Sequence, residues 1–291
     1  MGLRKIKLIF LTLVVFYCLT ILLDHNTVVC APVTGAFEHH GGHSTVKLNQ
    51  QLDGLRPTSH NRNEWGFDLT KISPETINGI MGSLDFLTEG DMFIKSDRNA
   101  VDGRWPGEDG NGNVTVPYVI APDLASRTAD IQEAMNMISN KSCVTFHQRK
   151  NEDHYLRFKS HQGCASYVGF TGGEQDVYVS PYCTVGNICH ELMHSLGFYH
   201  EHSRVDRDYH IQINFKNMIK GKEKNFNKVV GNTFGLPYDL GSILHYGRSF
   251  FSSNGKATVI PKKVNEDIGQ RTHLSELDVR RLNKLYKCDH D

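Results

Sequence analysis

Short apolar runs separated by turn residues dominate the chain between residues 114 and 179. The runs 114–120, 144–146, 155–159, 167–170 and 177–179 are rich in β-branched and aromatic side chains, and each predicts a strand. Between the first two runs the period changes. Ile131, Met135 and Ile138 share one face of a helix predicted over about 126–139. Ser73-Pro74-Glu75-Thr76 marks an earlier helix start, with Pro at the first helical position. Ile77, Ile80, Met81 and Leu84 then supply its apolar face. Past Asp208 little regular pattern returns until the last helix. There Ser275 is placed as the cap, Asp278 follows three residues on, and Leu274 and Val279 can form a hydrophobic staple. Leu282 and Leu285 continue that buried face. Strands mixed with a few long helices predict an α+β fold.

The first part of the chain divides differently. Residues 1–31 have the form of a secretory signal peptide. Arg4, Lys5 and Lys7 precede an apolar run over 8–23, and Val29-Cys30-Ala31 offers a small-residue cleavage site. A signal anchor is the alternative, because that run is about as long as the shorter membrane spans. No other stretch of the sequence is long and apolar enough to cross a bilayer, so no stable membrane association is expected after the cut. Residues 32–98 are polar and aperiodic at first. His39-His40-Gly41-Gly42-His43 could hold a metal weakly, but a solvated tail is the plainer reading. Residues 99–291 remain as one domain with a core of its own.

Composition adds two constraints. The 32 basic and 32 acidic side chains balance, which gives no sign of a nucleic-acid partner. Seven cysteines behind a leader suggest an oxidising compartment. Cys18 leaves with the leader, and Cys30 too if the cut follows Ala31. Asn113-Val114-Thr115 and Asn140-Lys141-Ser142 are glycosylation sequons, which makes Asn113 and Asn140 candidate acceptors.

The candidate chemistry is concentrated in residues 190–208, HELMHSLGFYHEHSRVDRD. Positions four apart on a helix share a face, so His190 and His194 can bind one ion. Glu191 lies one step round and can reach water beside that ion without becoming a ligand. Gly197 can adopt a positive φ, end the helix and turn the chain back. His200 can then supply a third nitrogen. Three imidazoles and one open position form the ligand set of a catalytic zinc site, whereas a structural site is closed by four protein ligands. His-Glu-x-x-His alone arises by chance in many helices, but H-E-x-x-H-x-x-G-x-x-H is the metzincin motif. With Phe198, Glu201, Arg204 and Asp206-Arg207-Asp208 also present, the stretch resembles the signature of the astacin family of zinc endopeptidases.

That resemblance, nearest in form to the hatching-enzyme branch, implies a metzincin fold. Two subdomains hold a twisted mixed sheet, a zinc helix and a C-terminal helix, preceded by a propeptide. It implies one Zn²⁺ per subunit on His190, His194 and His200, with Glu191 as general base and Tyr246 as oxyanion partner. The family's Met-turn, Ser-x-Met-His-Tyr, reads Ser242-Ile243-Leu244-His245-Tyr246 here, with Leu244 in place of Met. The family's propeptide motif Phe-x-Gly-Asp is matched in part by Thr88-Glu89-Gly90-Asp91, which makes Asp91 the latency ligand of the zymogen. The single basic residue at Arg98-Asn99 suits a trypsin-like activating protease, and Glu201 resembles the glutamate that meets the new amino terminus. The family's disulfides imply Cys143–Cys288 and Cys164–Cys183. They leave Cys189 as a buried free thiol, with an added zinc ligand as its less natural role. An edge strand around 166–169 is implied to hold protein or peptide substrate in extended form by β-augmentation. The expected protein is a secreted, extracellular endopeptidase cutting internal peptide bonds, with egg-envelope or other extracellular proteins as substrates. Two other classes stand beside it. A zinc-binding pseudoenzyme would rest on Leu244 and Cys189; an adhesion protein would need repeats or binding modules, which the sequence lacks.

Overall fold

The computed structural model describes residues 73–81, 87–94, 103–107 and 112–288. These belong to one unit spanning Pro57–Asp291. The leader 1–31, the histidines at 39–43, Leu84 and the Arg98-Asn99 boundary lie outside the described residues.

Alternation builds the main sheet. Strand β3 (Val114–Ile120) turns Val114 and Val116 inward. Strand β5 (Tyr155–Ser160) buries Leu156 and Phe158, and β7 (Glu174–Val179) buries Val177 and Val179, each at the period of two that a half-buried strand requires. With β4 (Val144–Gln148) these strands run parallel, in the order β7-β5-β3-β4. Parallel neighbours need a crossover, and α2 (Thr128–Ser139) supplies it between β3 and β4. Its Ile131, Ala134, Met135 and Ile138 recur at helical spacing, enter the core and help α2 pack on the zinc-motif helix α3 (Val185–Ser195). The sheet turns antiparallel at β6 (Ala165–Tyr167), which pairs with β7.

Helix α1 (Pro74–Met81) starts at the predicted proline and leads into a hairpin of β1 (Leu87–Thr88) and β2 (Met92–Phe93). Strand β2 adds to β6 in parallel, so seven strands run β1-β2-β6-β7-β5-β3-β4. Past the zinc motif, β8 (Ile211–Ile213) and β9 (Val259–Pro261) pair antiparallel, where the sequence predicted no regular elements. They frame a second cluster that includes Phe226, Tyr238, Tyr246 and Phe251.

Strands β4, β5 and β7 run longer than predicted, and two further boundaries shift. The helix expected over about 126–139 is a 3-10 segment, Pro122–Arg127, followed by the α-helix from Thr128, because proline fixes an entry without an amide donor. The strand expected over 167–170 ends at Tyr167. Gly169 sits at φ +71°, and a Cβ there would lie 2.8 Å from the Gly103 carbonyl oxygen, so the chain leaves the sheet where only glycine fits.

Helix α4 (Glu276–Tyr286) begins as predicted with a Ser275–Asp278 capping box; Leu274 and Leu282 are buried, and Val279 and Leu285 pack partly against them. Asp278 does more than cap. Its fully buried carboxylate also accepts from the Ser242 hydroxyl at 2.6 Å and the Ile243 amide at 2.8 Å, which ties α4 to the 242–246 turn. Cys143 is bonded to Cys288 and Cys164 to Cys183; Cys189 is free and buried. Replacing Asp278 would leave two buried donors and the half-buried Ser275 amide without an acceptor. We expect Asp278→Ala to lower unfolding stability by roughly 3 kcal/mol, from lost cap and unsatisfied donors. Urea unfolding should show a lower midpoint at unchanged slope, and a loss below about 1 kcal/mol would mean the turn re-satisfies itself.

Candidate metal and catalytic centre

Helix α3 begins with a second capping box. Thr184 accepts from the Asn187 amide, and the Asn187 side chain accepts from the Thr184 amide at 2.8 Å. Gly186 lets the Arg271 backbone pass, since a Cβ there would meet its carbonyl oxygen at 1.7 Å. The helix stops at Gly197, whose φ of +112° is open to glycine alone; its amide bonds the His194 carbonyl at 2.8 Å and that of Phe198 the Met193 carbonyl at 3.2 Å. This reversal carries His200 back over the helix face that holds His190 and His194.

The three Nε2 atoms converge. His194 Nε2 lies 2.9 Å from His190 Nε2 and 3.2 Å from His200 Nε2, and the remaining pair is 3.2 Å apart. Each Nδ1 faces an acceptor: the Ile243 carbonyl at 2.7 Å, the Phe198 carbonyl at 2.7 Å and Glu89 Oε2 at 2.8 Å, for His190, His194 and His200 in turn. A carbonyl cannot donate, so Nδ1 carries the hydrogen at His190 and His194; with the same tautomer at His200, facing the Glu89 carboxylate, all three Nε2 lone pairs point at one another. Such a cluster needs a cation or a proton. Burial pushes all three imidazoles below their ordinary range, which disfavours an imidazolium; the Arg271 charge adds to this at each, and repulsion between imidazoles adds at His190 and His194, while Glu89 opposes it at His200. Ligands on a tetrahedral zinc lie ~3.3 Å apart, given Zn–N bonds of ~2.0–2.1 Å. The donor set therefore fits zinc.

A fourth donor closes the group. Asp91 Oδ2, at the tip of the β1–β2 hairpin, lies 3.3 Å from both His190 Nε2 and His200 Nε2. Its other oxygen has no hydrogen-bond partner, and the same holds for one oxygen each of Glu89 and Glu191. Glu191 is fully buried; its Oε2 accepts from the Ser166 hydroxyl at 3.0 Å. Burial first, then Asp91 and Glu75, raise the Glu191 carboxyl well above its usual range, the direction that suits a group exchanging a proton. The Tyr246 hydroxyl donates to the Glu89 carbonyl, and its ring stacks on His202 with centroids 3.6 Å apart.

The hairpin also covers the edge strand. The Ser166 amide donates to the Asp91 carbonyl at 2.9 Å and the Val168 amide to the Phe93 carbonyl at 3.0 Å. Before the hairpin, Glu75 of α1 is fully buried; Arg271 Nε donates to it at 2.7 Å and Asn187 Nδ2 donates to the same oxygen. Burial opposes that carboxylate, yet Arg271 and the hydrogen bonds bring it below the ordinary range. Glu201 is buried beside α3, its carboxylate within 2.8 Å of Arg281 and 3.2 Å of Arg204. Burial pushes it up to about 7 against the pull of both arginines. It borders a cavity of about 490 Å³ lined also by Arg104, Phe198, His200, Leu244 and Lys284. Leu244 is buried in the main core. Asn140 is exposed at the end of α2, and Asn113 is half-buried before β3. Cys189 faces the core rather than the histidine cluster, and burial raises its thiol far above the usual range.

Sequence reasoning missed Glu89, Glu75, Arg271 and the Ser166–Glu191 bond. Only Glu89 carried a signal: two carboxylates flanking a glycine, Glu89-Gly90-Asp91, can point the same way from one tight turn.

Comparison with known proteins agrees with this geometry. The model of the Astacin peptidase family matches residues 104–287. Low choriolytic enzyme of Oryzias latipes is 37% identical over 256 residues, covering 82% of this chain and 93% of that protein. Zinc metalloproteinase nas-4 of Caenorhabditis elegans is 40% identical over 223 residues, 69% of each chain. The solved structure of High choriolytic enzyme 1, a hatching enzyme zinc-protease from Oryzias latipes, superposes with a TM-score of 0.62 at 38% identity, over 65% of this chain and 97% of that one. A family match across most of the chain, a shared fold and a donor set suited to zinc lead to one conclusion: this chain belongs to the astacin family and is a zinc metalloendopeptidase.

Proposed function

We propose that the protein is secreted as a zymogen, held silent by Asp91 and the β1–β2 hairpin, and activated by a trypsin-like cut after Arg98. The observation that carries this reading is the Asp91 carboxylate among the three Nε2 atoms while β2 fills the β6 edge. One zinc ion per subunit would be held by His190, His194 and His200, with Asp91 as the fourth ligand before activation. When bound, zinc supplies Lewis acidity there, acidifying water and polarising a carbonyl.

The chain's own residues do the rest. With the hairpin gone, β6 offers its amides and carbonyls to an extended substrate backbone, which explains acceptance of protein substrates by main-chain pairing. Glu191 takes a proton from the attacking water and later passes it to the leaving amine. Ser166 holds that carboxylate in place through its hydroxyl. Tyr246, released from the Glu89 carbonyl, can turn its hydroxyl to the oxyanion of the reacting carbonyl. Trp105 is anchored by its indole N–H to the Ser195 carbonyl at 2.9 Å. Asn99 lies five positions before Arg104 at the cavity wall, a reach of up to ~17 Å. The new amine can thus approach Glu201, which Arg281 and Arg204 already hold. The relatives named choriolytic enzymes make egg-envelope protein the proposed substrate class.

Glu191→Ala removes the base and leaves all proposed ligands. We expect a rate loss of about 10²–10⁴ on a casein substrate, with zinc content unchanged by atomic absorption. Loss of the zinc as well would show that Glu191 has a different role.

Leu244→Met conserves volume and polarity in a packed site, so activity should change by only a few fold. An inert parent that this one substitution turns into a working protease would show the leucine turn to be disabling.

Latency is tested in an uncuttable Arg98→Gln precursor. Adding Asp91→Ala should release measurable, chelator-sensitive casein cleavage, because the fourth position is then open to water. Equal, negligible activity with and without Asp91 would leave steric cover of β6 as the whole lock.

A further inference from the structure

The hairpin tip carries two carboxylates, and only one of them is accounted for by blocking the centre. Glu89 lies two residues before Asp91 and is equally buried. It occupies a left-handed conformation at φ +53°, followed by Gly90 at +92°. For a residue with a side chain that conformation costs roughly 1–3 kcal/mol and persists where its surroundings over-determine it. The surroundings here are the site itself. Glu89 Oε2 accepts from His200 Nδ1 at 2.8 Å, and its carbonyl accepts from the Tyr246 hydroxyl. Gly90 allows this approach, since a Cβ there would lie 2.7 Å from the Phe251 ring.

His190 and His194 are oriented by carbonyls of the peptidase portion, Ile243 and Phe198. His200 is oriented by the prosegment alone among the contacts its Nδ1 makes. A carboxylate on the far nitrogen fixes tautomer and ring orientation and raises ligand basicity. Charge points the same way. Three neutral imidazoles leave a buried dication uncompensated, whereas Asp91 and Glu89 together supply two negative charges.

We propose that Glu89 is a positioning residue for His200, so that the prosegment retains zinc as well as blocking it, and the uncut precursor releases the metal more slowly than the processed enzyme. This rests on the zinc-ligand reading above.

The test uses the full Arg98→Gln precursor, with zinc release followed by a chromogenic chelator and thermal unfolding measured alongside. Glu89→Ala should release zinc roughly 10–100-fold faster, the usual effect of removing a ligand's outer partner. Glu89→Gln keeps an acceptor for the same N–H but not the charge, so it should recover part of the loss. The cobalt-substituted proteins should follow suit, with visible absorption perturbed in the alanine variant and restored in the glutamine one. Unchanged release in Glu89→Ala, or glutamine behaving like alanine, would overturn the proposal while zinc binding by the parent stands. A parent precursor that holds no zinc would instead overturn the ligand reading, and this inference with it.

Discussion

Three nitrogen lone pairs aimed at one point form the constraint on which the rest of the structure depends. Left alone, His190, His194 and His200 would repel or take up protons; buried, they can do neither cheaply. What holds them is the other side of each ring. The acceptors come from three separate places: the 242–246 turn, the loop after Gly197 and the β1–β2 hairpin. The site is therefore a meeting of elements far apart in sequence, and each element is itself pinned. Asp278 at the start of α4 holds the Ile243 amide, and the Ile243 carbonyl holds His190. A cap on the last helix thus reaches the histidine cluster through the backbone of one residue, Ile243.

How much of this the sequence disclosed depends on whether the physics was local. The helix of the zinc motif, its glycine stop and the returning histidine follow from spacing alone, because helix periodicity and a positive φ are local properties. So are the two capping-box residues of α4. The strands of the main sheet were legible through alternation, but their ends were not: β6 stops short of Gly169 because Gly103, distant in sequence, crowds the chain there. Beyond Asp208 the chain is held by hydrogen bonds across long separations and by ring stacking, such as His210 on Tyr238 and His202 on Tyr246. Those leave no period to read. Two partners of Glu75, Asn187 and Arg271, lie more than a hundred residues away, and nothing near Glu75 announces them.

The leucine at the Met-turn is easier to understand from the turn's bonds than from its side chain. Ser242 receives the Leu244 amide at 3.0 Å and donates to Asp278. The Leu244 carbonyl accepts from the Glu201 amide at 3.0 Å, next to His200. Backbone groups therefore position both flanking histidine partners, whichever apolar side chain fills the core at that point. Leu and Met differ in shape and polarizability more than in volume, and cores accept that exchange at little cost.

The grip of the segment from α1 to β2 is distributed, and on the proposed reading that bears on how it can leave. Its helix buries Glu75 on Arg271, its hairpin tip meets the histidines, and β2 pairs with β6 through main-chain ladder bonds. Breaking one buried ion pair while keeping the rest would strand a charge, so partial release is unfavourable. Contacts that share one covalent segment also hold one another at high effective concentration, each restoring its neighbour when it opens. On the proposed reading, a cut after Arg98 removes no contact directly. It frees the far end of β2, which then has a single tether, so its ladder bonds to β6 can open from that end without displacing the peptidase chain at Trp105. Activation in this view begins at the weakest interaction and moves inward to the charged ones, and water reaches the site only after the ladder is lost.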